Sequence, residues 1–417
     1  METQNVKDFL RVRYDRGPVV FSIIFLGLLM LAIDVIAVFV SHGDALNYPY
    51  GGIIQAGTTQ FMDHFYSVAD SYYGAYSIWK VQYPAVAVVI YEVFAWFSED
   101  ILSANEREEA AYLMRDDSVA MLLLVLMYLV CVYILYLVYR RTVRGRLSDV
   151  QSDLLFGIVL FSGPLIFAFF RGNIIILALT LCVLFLVGYR SENKWIRLLS
   201  YVCLGLSIGI KITPAILAFL ILRDRDWRGF LECVVVSVVI FFGAFLLTDG
   251  SFLDMLDNIF LNNSLSGDIL VSVRSIFLQT DLIPRDVGNA IGWAVSILII
   301  VLSVVAVIFD RGMKPWKMAA LFFGCMAVCT GQATTYFYLY MMVPLVLFAV
   351  EEKEMDRYNL VYVLCFFLIF MLYPRANALK LLGTLVILIM LLWEAFVHIR
   401  DQRRASKGQI QKPESTA

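Results

Sequence analysis

Asp63 and His64 stand side by side in "FMDHFYSVADSYYGAYSIWKVQYPAV", and Tyr83-Pro84 follows about twenty residues later. Farther along come Arg171-Gly172-Asn173, Lys211 and Arg274, then Gln332, Tyr336 and Arg375. These residues interrupt or flank apolar runs. A carboxylate such as Asp63 can take a proton from a hydroxyl, and His64 beside it is a second group of the right kind. Arg and Lys at the edge of a membrane suit a phosphate carried on a lipid. Tyr83, Asn173, Gln332 and Tyr336 are neutral hydrogen-bonding groups that could orient what those charges hold.

Each residue also has a plainer reading. Asp63 taken alone is a solvated loop carboxylate, as are Asp44 and Asp70. Lys211 can snorkel from a helix tip. Arg171, Arg274 and Arg375 can anchor on lipid headgroups. The aromatics Tyr66, Tyr72, Tyr73, Tyr76 and Trp79 fit an interfacial belt as well as a sugar-stacking surface. The decision rests on the elements that position these residues.

Of the 417 residues, 61% are hydrophobic and 16% are charged. Soluble domains carry about 25% charged residues. Apolar runs recur along almost the whole length, which makes this an all-α, polytopic membrane protein with no soluble domain. Candidate helices are Val19–Val40, Ala120–Tyr139, Leu154–Phe170, Asn173–Tyr189, Leu198–Ile210, Ile212–Leu222, Phe230–Leu247, Val287–Phe309, Met318–Cys329, Phe337–Val350, Leu360–Leu372 and Ala378–His398. That predicts about twelve transmembrane helices. Ala85–Phe97 reads as a re-entrant or interfacial piece. Residues 1–398 form one transmembrane domain. Its long first outer loop covers about 41–119 and its second about 248–285. Residues 399–417 form a basic cytoplasmic tail, expected to be disordered.

Placing the N-terminus in the cytoplasm puts 24 of the 33 Lys and Arg on the inside, as the positive-inside rule asks. The split requires the run from 198 to 222 to break at Lys211-Ile212-Thr213-Pro214. Lys211 then tips a hairpin on the outer side. At a bilayer centre a lysine would cost about 2.5–3.5 kcal/mol; at that break it can face a polar cavity. The same layout gathers Asp63, His64, Tyr83, Arg171, Asn173, Lys211, Arg274, Gln332, Tyr336 and Arg375 on the outer side. The seven cysteines all fall inside apolar runs and read as packing residues, including Cys325 and Cys329 on one helix face.

The Asp63 segment resembles the first extracytoplasmic loop of polyprenyl-phosphate-mannose-dependent mannosyltransferases. These are GT-C integral membrane enzymes of glycosyltransferase family 87, also known as DUF2029. "FFRGNIIILALTLCVLFLVGY" resembles the family's Arg/Phe-Gly-Asn/Gln segment, and "LSYVCLGLSIGIKITPAILAFLIL" its Gly-rich helix ending in Lys-x-x-Pro. "GQATTYFYLYMMVPLVLF" is similar to its late aromatic turn. The resemblance runs in order over about Val19–Val350. It implies inverting transfer of a hexose, mannose-like, from a polyprenyl-phosphate-sugar donor to a hydroxyl of a lipid-linked or envelope glycan on the extracytoplasmic face. Asp63 matches the catalytic base, and Lys211 and Arg171 would steady the departing phosphate. No cofactor is implied, and no constellation requires a metal, although a divalent ion near Asp63 is compatible with the pattern. No nucleic-acid partner is expected. The chain departs from the family in Tyr83-Pro84-Ala85, where a second proline is usual, and at Tyr336, in a region that usually carries a histidine. A polysaccharide polymerase or ligase and a lipid-linked-glycan transporter are the alternatives.

Overall fold

The computed structural model describes residues 17–40, 60–98, 104, 106–263, 271–279, 283–331, 334–370 and 377–410. Helices account for the architecture, and no strand occurs among the described residues. Asp44, Gln332 and Arg375 lie outside them.

Five helices are long and apolar enough to cross a membrane: α1 (Pro18–Val40), α5 (Ser118–Val143), α11 (Trp227–Gly243, continued by a 3-10 turn to Leu247), α14 (Arg285–Phe309) and α18 (Asn377–Ile410). A sixth span forms if α6 (Asp149–Leu160) and α7 (Gly163–Arg171) count together across their 47° bend. That bend has a local cause. Pro164 has no N–H for the preceding turn and starts a new helix instead. The long helices expose rows of large apolar side chains, such as Leu122, Leu126 and Leu129 on α5 and Val235, Val239 and Phe242 on α11. This surface suits lipid, and these helices embed the protein in a membrane.

Inside that shell sit shorter helices: α8 (Ile175–Gly188), α9 (Lys194–Ile210), α10 (Phe219–Arg223), α15 (Pro315–Val328), α16 (Met342–Glu351) and α17 (Arg357–Phe370). From Met318 on, α15 is buried at all but one position, and so is the whole 3-10 helix Thr335–Met341 that follows it. The expected count of about twelve spans therefore resolves into five or six long helices and a set too short to cross alone. A 14-residue helix such as α15 is only about 21 Å long against an apolar bilayer core of about 30 Å.

Ion pairs identify the two ends of the molecule. At one end Arg190 grips Asp224 through two hydrogen bonds of 2.6 and 2.7 Å, Lys314 meets Glu352 at 2.7 Å, and Gly17 lies against the Lys353 backbone. Arg223 donates there to the carbonyls of Asp310, Arg311 and Met313. Because Arg190 and Asp224 meet, the chain between them is a hairpin, and Lys211 lies at its far tip. The segments expected to be outer loop form α2 (Met62–Tyr72), α4 (Arg107–Asp116), α12 (Phe252–Asn263) and α13 (Val273–Leu278), and the expected re-entrant or interfacial piece forms α3 (Ala85–Ala95). Helix α18 continues past residue 398 to Ile410, so the start of the predicted tail is helical.

Candidate active site

The junction between α2 and α7 brings a carboxylate and a guanidinium together. Helix α7 ends in a Schellman motif, with N–H groups of Gly172 and Asn173 bonded to the Phe169 and Ala168 carbonyls at 2.8 and 3.0 Å. Gly172 takes φ +69°, and a Cβ there would stand 2.8 Å from the His64 Cβ. Only glycine fits that approach. Opposite it, Phe61 adopts φ 60° and donates its N–H to the Phe170 carbonyl at 2.7 Å. A bulky residue in the left-handed region is a strained choice that its surroundings must enforce. Two left-handed residues thus dock the start of α2 on the end of α7. Two residues on, Asp63 accepts a short charge-assisted hydrogen bond from Arg171.

Around this pair the other predicted residues assemble. Asn173 is fully buried. Its Oδ1 accepts the Ile175 N–H at 3.1 Å, and its Nδ2 donates to the Tyr83 hydroxyl at 3.3 Å. Tyr128 bridges the Ala168 and Asn173 carbonyls with its hydroxyl, 2.6 Å from each. Burial, reinforced by the charge of Asp63, pushes the Tyr83 phenol up to about 12, so it stays a proton donor at neutral pH. Pro84 then opens α3.

Lys211 is extended between α9 and the 3-10 helix Thr213–Ala218. Its ammonium lies 4.1 Å from the centre of the Tyr83 ring, 5.3 Å from Phe337 and 5.9 Å from Tyr336. Three ring faces offset part of its lost hydration. No ion pair holds it among the described residues.

Tyr83 and Lys211 border an open cavity of about 730 Å³, whereas Asp63, Arg171 and Asn173 are not among its lining residues. Tyr83, Lys211, Thr334 and Tyr336 line one part, and Ile212, Ile216, Phe219 and Ile300 make an apolar wall below Lys211. The cavity therefore offers a cation at the boundary between a polar region and an apolar slot.

His64 and Arg274 are placed differently from the sequence expectation. The His64 ring packs among Phe65, Tyr91 and Phe94, with ring centres 4.7–5.6 Å away, and it does not line the cavity. Burial lowers its pKa to about 3, so it is neutral. It packs the α2–α7 junction. Arg274 is 1% exposed and donates to Asn289 Oδ1 at 2.5 Å and to the Gly331 carbonyl at 2.7 Å, with Trp293 beside it. It braces the wall formed by Trp293 and Gly331. Asp70, expected to be solvated, is buried in an ion pair with Arg107. Burial outweighs that pairing and holds its carboxyl above the ordinary value. Trp79, read from the sequence as a belt or sugar-stacking aromatic, also lines the cavity, as does Asp70.

A lipid-facing helical shell around a charged internal cavity defines an integral membrane protein with a buried polar site. The chain belongs to glycosyltransferase family 87, whose model matches residues 81–331, more than half of its length. It is therefore a glycosyltransferase. No curated protein and no solved structure matches it. The matched segment includes Tyr83, Arg171, Asn173, Lys211 and Arg274 and begins after Asp63. The case for Asp63 accordingly rests on its pairing with Arg171.

Proposed function

We propose that the protein moves a hexose from a polyprenyl-phosphate-sugar donor to a hydroxyl of a lipid-linked or envelope glycan, with inversion, on the extracytoplasmic face. The observation that carries this reading is Lys211, an ammonium with no ion pair among the described residues, poised between a polar cavity and an apolar wall. A phosphate at Lys211 would leave its polyprenyl chain against Ile212, Ile216 and Phe219. Family membership favours transfer over the transporter alternative. The clustering of Arg190, Arg223, Arg311 and Lys314 at the end away from Lys211 supports a cytoplasmic placement of that end.

In the reaction, Asp63 takes the proton of the acceptor hydroxyl as its oxygen bonds to the anomeric carbon. The bond from that carbon to the phosphate oxygen breaks, and the electron pair leaves with the phosphate. Arg171 and Lys211 meet the growing negative charge. Arg171 holds Asp63 until a phosphate competes for the guanidinium. Donor binding thereby frees the carboxylate as a base, so the donor adds before the acceptor.

The test is transfer of labelled hexose by proteoliposomes holding wild type or Asp63→Asn. The donors are a panel of polyprenyl-phosphate sugars, and the acceptor is a lipid extract of the host. One donor should give product, and the variant should lose about 10²–10⁴-fold in rate while staying folded. Full turnover in the variant would remove Asp63 as the base.

A further inference from the structure

Seven residues separate Asp63 from Asp70 on α2, so both carboxylates lie on one side of the helix, about 10 Å apart along its axis. Asp70 lines the same cavity as Lys211. Both of its oxygens accept hydrogen bonds from Arg107 of α4, the longer at 3.0 Å. The Arg107 guanidinium lies between two rings, 4.5 Å from Tyr66 and 4.7 Å from Trp79. Trp79 keeps 39% of its surface exposed and also lines the cavity.

The segment carrying Trp79 is built to stay in place. Asp249 accepts the N–H groups of Tyr76 and Ser77 and the Ser77 hydroxyl. Asn258 donates to the Tyr76 and Val81 carbonyls, and the Tyr76 hydroxyl donates to the Tyr83 carbonyl at 2.7 Å. Left-handed Gly74 and Lys80 flank the tip. An indole with exposed surface, fixed beside a carboxylate and a guanidinium, is a carbohydrate-binding arrangement. The ring stacks on the C–H face of a pyranose, and the charged groups bond its hydroxyls.

We propose that Trp79, Asp70 and Arg107 form an acceptor subsite for a pyranose ring beyond the one that is glycosylated. The inference rests on the glycosyltransferase reading above. It specifies that the acceptor is a glycan of at least two sugar residues. A single ring attacking at Asp63 does not reach two helical turns to Trp79, whereas the next ring does.

The test is binding, without transfer. Full-length protein in lipid nanodiscs is titrated with manno-, gluco- and galacto-configured monosaccharides, disaccharides and tetrasaccharides, read by saturation-transfer NMR and calorimetry. At least one oligosaccharide should bind, at least tenfold more tightly than its monosaccharide. Trp79→Ala should abolish that length preference, and Trp79→Phe should restore most of it. Equal binding of mono- and oligosaccharides, an unaltered preference in Trp79→Ala, or no saccharide bound by folded wild type would each overturn the proposal. Binding of polyprenyl phosphate, measured on the same preparations, should be unchanged in Trp79→Ala. Its loss from wild type would count against the donor reading and leave the subsite result intact.

Discussion

Helix α2 carries two carboxylates, each paired with an arginine from elsewhere in the chain, and the two pairs differ in how they are enclosed. Arg107 is held by both oxygens of Asp70 and by two aromatic rings. Arg171 grips Asp63 beside a lysine ammonium that no ion pair neutralises among the described residues. The first pair joins α4 to α2 and fixes Trp79. The second is open to competition from an anion. An ion pair can thus be a joint or an exchange point, and its neighbours decide which.

The largest effects should come from breaking the exchange point. Arg171→Met should lower transfer about 10²–10³-fold, as loss of a charge-stabilising donor does elsewhere. Combined with Asp63→Asn it should add little, because the two act as a unit. Additive losses in steady-state assays would separate them. Lys211→Met should raise the donor KM about tenfold or more while the acceptor KM holds. An unchanged donor KM would return Lys211 to a snorkelling role.

Breaking the joint should act on stability first. Arg107→Met leaves a buried Asp70 carboxylate unpaired, at a cost of about 1–3 kcal/mol, visible as a lower Tm in detergent. Gly172→Ala should cost more than about 1 kcal/mol and also reduce transfer, since its Cβ pushes on His64 and shifts Arg171. Equal Tm for Gly172→Ala and wild type would show that the junction yields.

A further effect, on stability alone, should be a pH slope. His64 binds its proton at about pH 3 in the folded protein and at 6.5 in the ordinary state. Between those values the unfolded chain holds the extra proton, so stability falls as pH drops below 6.5, by up to about 1.4 kcal/mol per unit. Across pH 6.5–5, His64→Phe should flatten that part of the slope. Identical slopes in Tm against pH would discard the assignment.

Much of the candidate site was legible because charges are rare in apolar sequence. Arg171 and Lys211 stand out by contrast, Asp63 only through the resemblance of its segment, and the break at Lys211-Ile212-Thr213-Pro214 follows from proline chemistry. The Asp70–Arg107 joint was not legible. The partners are thirty-seven positions apart with apolar α3 between them, in a stretch where one carboxylate looks like another. Helix α2 did leave a signal. Met62, Phe65, Val68 and Ala69 are buried at helical spacing, but the segment is too short and polar to register beside the long apolar runs. The burial of His64 and Arg274 depended on contacts with α3 and α14 that no local pattern announces.

The short inner helices have a consequence for how the chain enters its membrane. Helix α15, at about 21 Å, cannot partition stably as an independent segment, nor can the 3-10 helix after it satisfy its backbone in lipid. Each needs a protein wall already present. During synthesis α15 must therefore wait beside α14, and the cavity lining is complete only when Thr334, Tyr336 and Phe337 have followed. A ribosome that stalls between α14 and α16 would leave in the membrane a chain whose site residues are all but complete in sequence and still unassembled in space.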